Sequence, residues 1–127
     1  MATLSIDHTT KTYPRTLPYQ AIADAILPRT YTLSLVFIGT TRARTLNQTH
    51  RGRDYTPDIL SFPLTAHSGE IYICTDAAMR AAPEYPHPTK HHIAFLFIHG
   101  LLHLKGYEHG ATMEKAEQRF MTRFCLN

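Results

Sequence analysis

The sequence predicts an α+β fold: a single domain with a small mixed sheet of about four strands packed on helices. Three observations carry this. A chain of 127 residues has the length of one domain and leaves no room for a second core. A composition that is 43% hydrophobic and 18% charged belongs to a folded chain rather than a disordered one. Four short segments of strand character have helical segments before, between and after them.

Taken in order, Thr3 to His8 (TLSIDH) alternates apolar and polar residues, the pattern of a half-buried strand. Tyr19 to Leu27 carries Ile22, Ala23, Ile26 and Leu27 at helical spacing; Pro18 suits the first turn and Pro28 stops it. Tyr31 to Ile38 (YTLSLVFI) is the strongest strand, β-branched, aromatic and nearly continuous. Thr40 is expected to cap a helix through Arg42, Ala43, Leu46 and Asn47, which Gly52 ends. Asp58 to Pro63 and Gly69 to Thr75 read as two more strands joined by LTAHS, with Pro63 favouring an edge or a strand end. Thr75 or Asp76 then caps a short Ala-rich helix ending at Pro83, and Pro83 to Pro88 form a proline-rich loop. From Thr89 to about Leu104 the chain is apolar nearly all round, so this helix belongs at the centre. Gly106 suits the left-handed turn that ends it. Ala111 to Leu126 is a last amphipathic helix carrying Met113, Ala116, Phe120, Met121 and Phe124 on one face.

The longest purely apolar run, Ile93 to Ile98, is six residues, where a membrane span needs about 20. The opening MATLSIDHTTK has an acid and no basic-then-apolar block, so no secretory signal is expected and the chain is read as cytoplasmic. Cys74 and Cys125 are too few for a disulfide framework or a Cys-rich zinc knuckle, and both are expected as buried free thiols. A net charge of +3 is compatible with a nucleic-acid partner without requiring one. The unusual number is nine histidines.

Their placement is informative. His99 and His103 stand four apart on the central helix, on one face, with a rise of about 6 Å between them. A straight helix cannot bring a third ligand to the same ion, but Gly106 lets the chain turn back and present His109. Three neutral imidazoles leave a fourth tetrahedral position open, the pattern of a catalytic zinc site rather than a structural one. The spacing H-x3-H-x5-H with its glycine is that of the metzincin proteases, except that their general-base glutamate is replaced by Gly100. Without that carboxylate the scaffold is not that of an ordinary peptidase. A lone helical histidine is usually packed or solvated, and that is the reading for His8, His50, His67, His87, His91 and His92. His92 shares the face of His99 but lies too far along the helix to be a fourth ligand.

At these residues the chain resembles a known family. HGLLHLKGYEH (99–109) is similar to the signature H-G-x-L-H-L-x-G-Y-D-H of the YbeY-type endoribonucleases, bacterial 16S rRNA maturation factors. Leu46 to Pro63 is similar to that family's L-N-x-x-[YF]-R-x-x-D-x-x-T-D-V-L-S-F-P, and Gly69-Glu70-Ile71 to its Gly-Asp-Ile. Glu108, Pro57 and His50 depart from the pattern, which has aspartate, threonine and an aromatic there. The resemblance implies a zincin-like α+β fold with one Zn2+ per chain. It implies His99, His103 and His109 as ligands and Arg51 as the basic catalytic residue. It further implies cleavage of single-stranded RNA in maturing the 3′ end of 16S rRNA and in ribosome quality control, with the small ribosomal subunit as partner and neither membrane nor DNA.

Arg42, Arg44, Arg51 and Arg53 fall close together, and a guanidinium forks onto phosphate oxygens. A solvated basic helix face accounts for Arg42, Arg44 and Arg53; Arg51 is singled out by the motif. Glu108 reads either as an acid holding a metal-ligating histidine or as a solvated loop residue. Asp54 and Asp58 are expected to pin the basic loop. Phe62 is open to the core or to base stacking, the core being favoured. The rival readings are a non-catalytic zinc-containing RNA- or ribosome-binding module, a metzincin-like peptidase disfavoured by Gly100, and a structural zinc domain disfavoured by the open fourth position.

Overall fold

Alternation along the central strands sets the layers of the domain. The computed structural model describes residues 1–81 and 89–127. In chain order its elements are β1 (Thr3–His8), α1 (Tyr19–Ile26), β2 (Thr32–Ile38), α2 (Thr40–Arg51), β3 (Ile59–Thr65), β4 (Ser68–Cys74), α3 (Thr75–Ala81), α4 (Thr89–Leu104) and α5 (Ala111–Arg123). The strands form one mixed sheet in the order β1-β2-β4-β3, with β1, β2 and β4 parallel and β3 antiparallel to β4. The α+β expectation holds.

Register places Ile6, Leu35 and Ile71 side by side. On that face Leu33, Leu35, Phe37, Ile71 and Ile73 are fully buried against α1 and α4, and α5 packs on α4. The Phe97 ring of α4 meets Tyr19 edge-on at 5.4 Å. Each such buried apolar side chain contributes roughly 1.5–3 kcal/mol of transfer free energy. Being apolar all round, α4 lies between sheet and α5, as its composition requires. The opposite face carries Val36, Ile38, Tyr72 and Cys74, which pack on Ala43 and Leu46 of α2 and Ala77 of α3.

Several boundaries differ from the sequence expectation for local reasons. The β3–β4 connection shrinks from LTAHS to a two-residue turn, Ala66–His67. Thr65 and Ser68 share a hydroxyl hydrogen bond of 2.8 Å, and the His67 N–H donates to Thr65 Oγ1, so side chains close the turn. β3 is an edge strand and holds Pro63 at a register shift between Pro63 and Thr65, as proline's missing N–H favours. The cap of α2 is Gly39, not Thr40. One residue links Ile38 to the helix, so Gly39 takes the extended conformation and Thr40 the first helical one.

The last helix stops at Arg123 rather than Leu126. Cys125 adopts φ 57°, and the Leu126 N–H returns to the Met121 carbonyl at 2.8 Å. That turn sends Leu126 into the core and leaves Cys125 exposed, against the expectation of two buried thiols; Cys74 is buried. The expected helix end at Pro83, the loop from Pro83 to Pro88 and His87 lie outside the described residues. Among the described residues, no helix is long and apolar enough to cross a membrane.

Candidate metal centre

The end of α4 builds the site locally. Lys105, Gly106 and Tyr107 donate their N–H groups back to the carbonyls of Leu101, His103 and Leu102 at 3.0, 3.0 and 2.9 Å. Gly106 takes φ 105°, a conformation that a side chain would strain. The chain therefore reverses, and His109 comes to lie beside the two helical histidines. Lys105 Nζ donates to the Ile26 carbonyl at 3.0 Å and ties this turn to the end of α1.

The three imidazoles form a triangle, with ring centroids 4.6 Å (His99–His103), 5.2 Å (His99–His109) and 4.5 Å (His103–His109) apart. One nitrogen from each lies within 4.8 Å of the other two. Hydrogen bonding fixes which nitrogens face inward. His99 Nδ1 donates to Glu117 Oε2 at 2.7 Å, and His103 Nδ1 donates to the Tyr107 carbonyl at 3.1 Å, since carboxylate and carbonyl only accept. Both Nε2 atoms are then left with lone pairs, and they stand 3.1 Å apart. Two lone pairs converging at that distance suit a shared proton or a shared metal ion. A tetrahedral zinc with Zn–N bonds of about 2.0–2.1 Å sets its ligand nitrogens about 3.3 Å apart. Burial first, then the adjacent His99, pulls His103 below the ordinary imidazole range, which favours the neutral, ligating form. The donor set fits a borderline-soft divalent metal.

Glu117 is the residue the sequence reading missed. It is buried on α5, on the face that also carries Met113, Ala116, Phe120 and Met121. A carboxylate on an otherwise apolar stripe was the available signal, because a buried acid needs a partner. Glu108, considered for the same task, is exposed and faces a separate hollow beside Lys105 and Thr112.

The triad opens into a cavity of about 400 Å³ that also holds His50, Arg51, Ser61 and Phe62. Arg51 is the last residue of α2. Gly52 ends that helix at φ 65°, and Asn47 Nδ2 donates to the Tyr55 carbonyl at 3.1 Å to hold the following loop. Arg44 Nε pairs with Asp54 Oδ1 at 2.7 Å, a bond that holds the Asp54 carboxyl below the usual carboxylate range. Asp54 thus pins the basic loop as expected. Asp58 lies beside a second hollow of about 390 Å³ lined by Phe95, Met113, Glu114 and Glu117, on the far side of His99. Arg42 lies over Tyr72 and Arg53 is exposed, so neither joins the triad's cavity.

Two further residues gain a physical account. A Cβ on Gly100 would lie 3.0 Å from Ile59 Cδ1 and 3.1 Å from Ile71 Cδ1, so glycine lets α4 sit close against the sheet. Ser61 Oγ donates to the Gly100 carbonyl at 3.2 Å across the same contact. Phe62, expected in the core, is half-buried at the cavity rim. It points to the α2 face of an edge strand, where only the last turn of α2, through His50, reaches it. Of the remaining histidines, His92 is buried beside Phe95, His8 is bonded to the Thr10 carbonyl, and His67 lies in the hairpin turn.

The profile of the endoribonuclease YbeY family matches residues 3–126. The chain belongs to that family. This membership extends the resemblance seen between Leu46 and His109 over nearly the whole chain. An endoribonuclease YbeY of Helicobacter pylori (strain Shi470) is 40% identical over 120 residues, covering 91% of this chain and 84% of the relative. One of Alkaliphilus metalliredigens (strain QYMF) is 36% identical over 100 residues, covering 70% of this chain and 64% of the relative, so the chain spans just under two-thirds of that protein. The solution structure of a Thermotoga maritima protein superposes with a TM-score of 0.71 at 23% identity, covering 96% of this chain and 89% of the other. At that identity the superposition speaks for the fold alone, and it is the fold of the present YbeY-family chain.

Proposed function

We propose that residues 1–127 form a single metal-dependent hydrolase domain that acts as a zinc-dependent endoribonuclease on single-stranded RNA. The observation that supports it is three imidazoles converging in one cavity with Arg51, in a chain of an endoribonuclease family. His99, His103 and His109 would hold the zinc. When bound, it supplies Lewis acidity toward a phosphodiester oxygen. Glu117 and the Tyr107 carbonyl fix the tautomers and ring orientations of His99 and His103. The Arg51 guanidinium grips the scissile phosphate in two-pronged fashion and neutralises the charge that builds on its oxygens. The substrate on this reading is the 3′ precursor end of 16S rRNA on the small ribosomal subunit in the cytoplasm, in maturation and quality control.

Cleavage of a single-stranded RNA bearing that precursor end tests the reading. Zinc-loaded wild type and His103→Ala are purified without a polyhistidine tag and run side by side. Cutting by the wild type alone is the expected result, and a 2′,3′-cyclic phosphate on the product would mark the 2′-hydroxyl as nucleophile. Equal cutting by both proteins would overturn the assignment of the histidines. RNA binding that outlives zinc removal, with no cutting, would replace the enzyme by a binding module.

A further inference from the structure

Two hollows meet at the open edge of β3. One is the cavity of the histidine triad. The other, of about 270 Å³, lies on the α2 face of the sheet and shares His50 and Phe62 with the first. Three rings, His50, Phe62 and Tyr72, line it together with Leu46, Pro63, Leu64 and Glu70. The His50 and Phe62 rings are 5.3 Å apart, and Phe62 meets Tyr72 edge-on at 6.0 Å. The Arg42 guanidinium sits 5.8 Å over the Tyr72 ring. Glu70 is the cross-strand partner of Phe62, and its carboxylate accepts the Tyr72 hydroxyl hydrogen at 3.3 Å.

We propose that this second hollow is a nucleobase subsite: Phe62 stacks a base adjoining the scissile phosphate, and Glu70 selects bases that carry an amino group over uracil. The proposal rests on the endoribonuclease reading and specifies its substrate. Every nucleobase has a π-face, so a half-exposed ring beside the reaction centre is a sequence-tolerant platform. The ring is already held between His50 and Tyr72, so little side-chain freedom is lost when a base lands on it. Charge gives the strand its direction. The hollow beyond His99 carries Asp58, Glu114 and Glu117 and repels phosphates, whereas the His50 side offers Arg51 and Arg42.

Glu70 supplies the selectivity. An ionised carboxylate only accepts hydrogen bonds. Cytosine offers an N4 amino donor where uracil offers the O4 carbonyl, so the same position is attractive to one and repulsive to the other. The two pyrimidines have the same shape, which leaves stacking nearly equal and isolates the carboxylate's effect.

The test uses zinc-loaded wild type, Phe62→Leu and Glu70→Gln with short oligocytidylate and oligouridylate. It reads KM and kcat for cleavage, equilibrium binding by fluorescence anisotropy, and thermal unfolding of each protein. Leucine keeps the apolar bulk and removes the π-face. The expected result is a KM and Kd raised about fivefold or more by Phe62→Leu for both oligomers, with kcat and melting temperature near wild type. Glu70→Gln should bring the values for the two oligomers together. If the wild type acts on RNA and Phe62→Leu matches it, the subsite is wrong while the enzyme stands. If Phe62→Leu acts as expected and Glu70→Gln changes nothing, the selectivity is wrong. A wild type that neither binds nor cuts either oligomer overturns the endoribonuclease reading, and the subsite with it.

Discussion

His99 Nδ1 lies 2.7 Å from the buried carboxylate of Glu117, a residue on a different helix. The bond couples the packing of α5 on α4 to the orientation of a proposed metal ligand. Partners of this kind typically change metal affinity 10–100-fold. Glu117→Gln should therefore weaken zinc binding by about 10-fold or more, read by competition with a chromophoric chelator. Glu117→Leu should weaken it at least as much while the metal-free protein melts no lower, because an apolar side chain replaces a buried acid. A drop in metal-free melting temperature equal to that of the zinc form would make Glu117 a purely structural residue.

Chelation should lower thermal stability without unfolding the domain at 25 °C, since the core formed by Phe37, Phe97, Leu35 and Ile71 does not involve the site. A ligand present at 100 times its Kd stabilises by about 2.7 kcal/mol, which for a domain of this size is several degrees of Tm. Scanning calorimetry with zinc and with a chelator measures this. His103→Ala should show no difference between the two.

Arg51→Ala should reduce kcat by about 10²–10³-fold, the usual loss on removing one donor to developing charge. Bound zinc should be unchanged, because Arg51 lines the cavity and is not among the nitrogen ligands. Arg51→Lys should recover only part of the rate, since a point charge lacks the guanidinium's two-pronged grip. Metal content by atomic absorption and single-turnover kinetics separate the two effects.

Gly100→Glu restores the metzincin glutamate and should not restore peptidase chemistry. The new Cβ would lie 3.0 Å from Ile59 and 3.1 Å from Ile71, where α4 meets the sheet. Displaced isoleucines and a carboxyl set among them should cost about 1–3 kcal/mol. A lower midpoint in urea and no hydrolysis of casein are the expected results.

The two thiols should differ sharply in alkylation. Burial, the dominant cause, pushes the Cys74 thiol above its ordinary value, while Cys125 is exposed at the chain's last turn. A raised pKa leaves less thiolate at any given pH, so Cys74 labelling should begin at higher pH as well as being slowed by burial. Mass spectrometry after iodoacetamide treatment at pH 7.5 should find Cys125 modified and Cys74 intact. Early labelling of Cys74 would contradict its placement beneath α2 and α3.

The triad was legible because its information is local: two residues four apart on one helix, a glycine and a third histidine span eleven positions. Strand β1 was legible because its alternation is complete within six residues. What escaped the sequence depends on contacts made far along the chain. Glu117 becomes meaningful only once α5 lies on α4 and brings it to His99. Pro63 marked its strand for an edge, but nothing in LSFP tells that the face carrying Phe62 borders an open cavity rather than the core. Cys125 looked buried beside Phe124 and Leu126 until a left-handed turn separated it from both. Gly100 showed only what it lacks, a carboxylate; that it also admits the sheet is a fact of two isoleucines from other strands.

Pro63 has one more consequence. An edge strand with a free row of donors and acceptors invites a second copy of the chain to pair with it. Pro63 removes a donor from that row, and the register shift between Pro63 and Thr65 breaks its regularity. The strand is therefore guarded against self-association at its hairpin end, while Ile59, Ser61 and Phe62 line the cavity of the histidines.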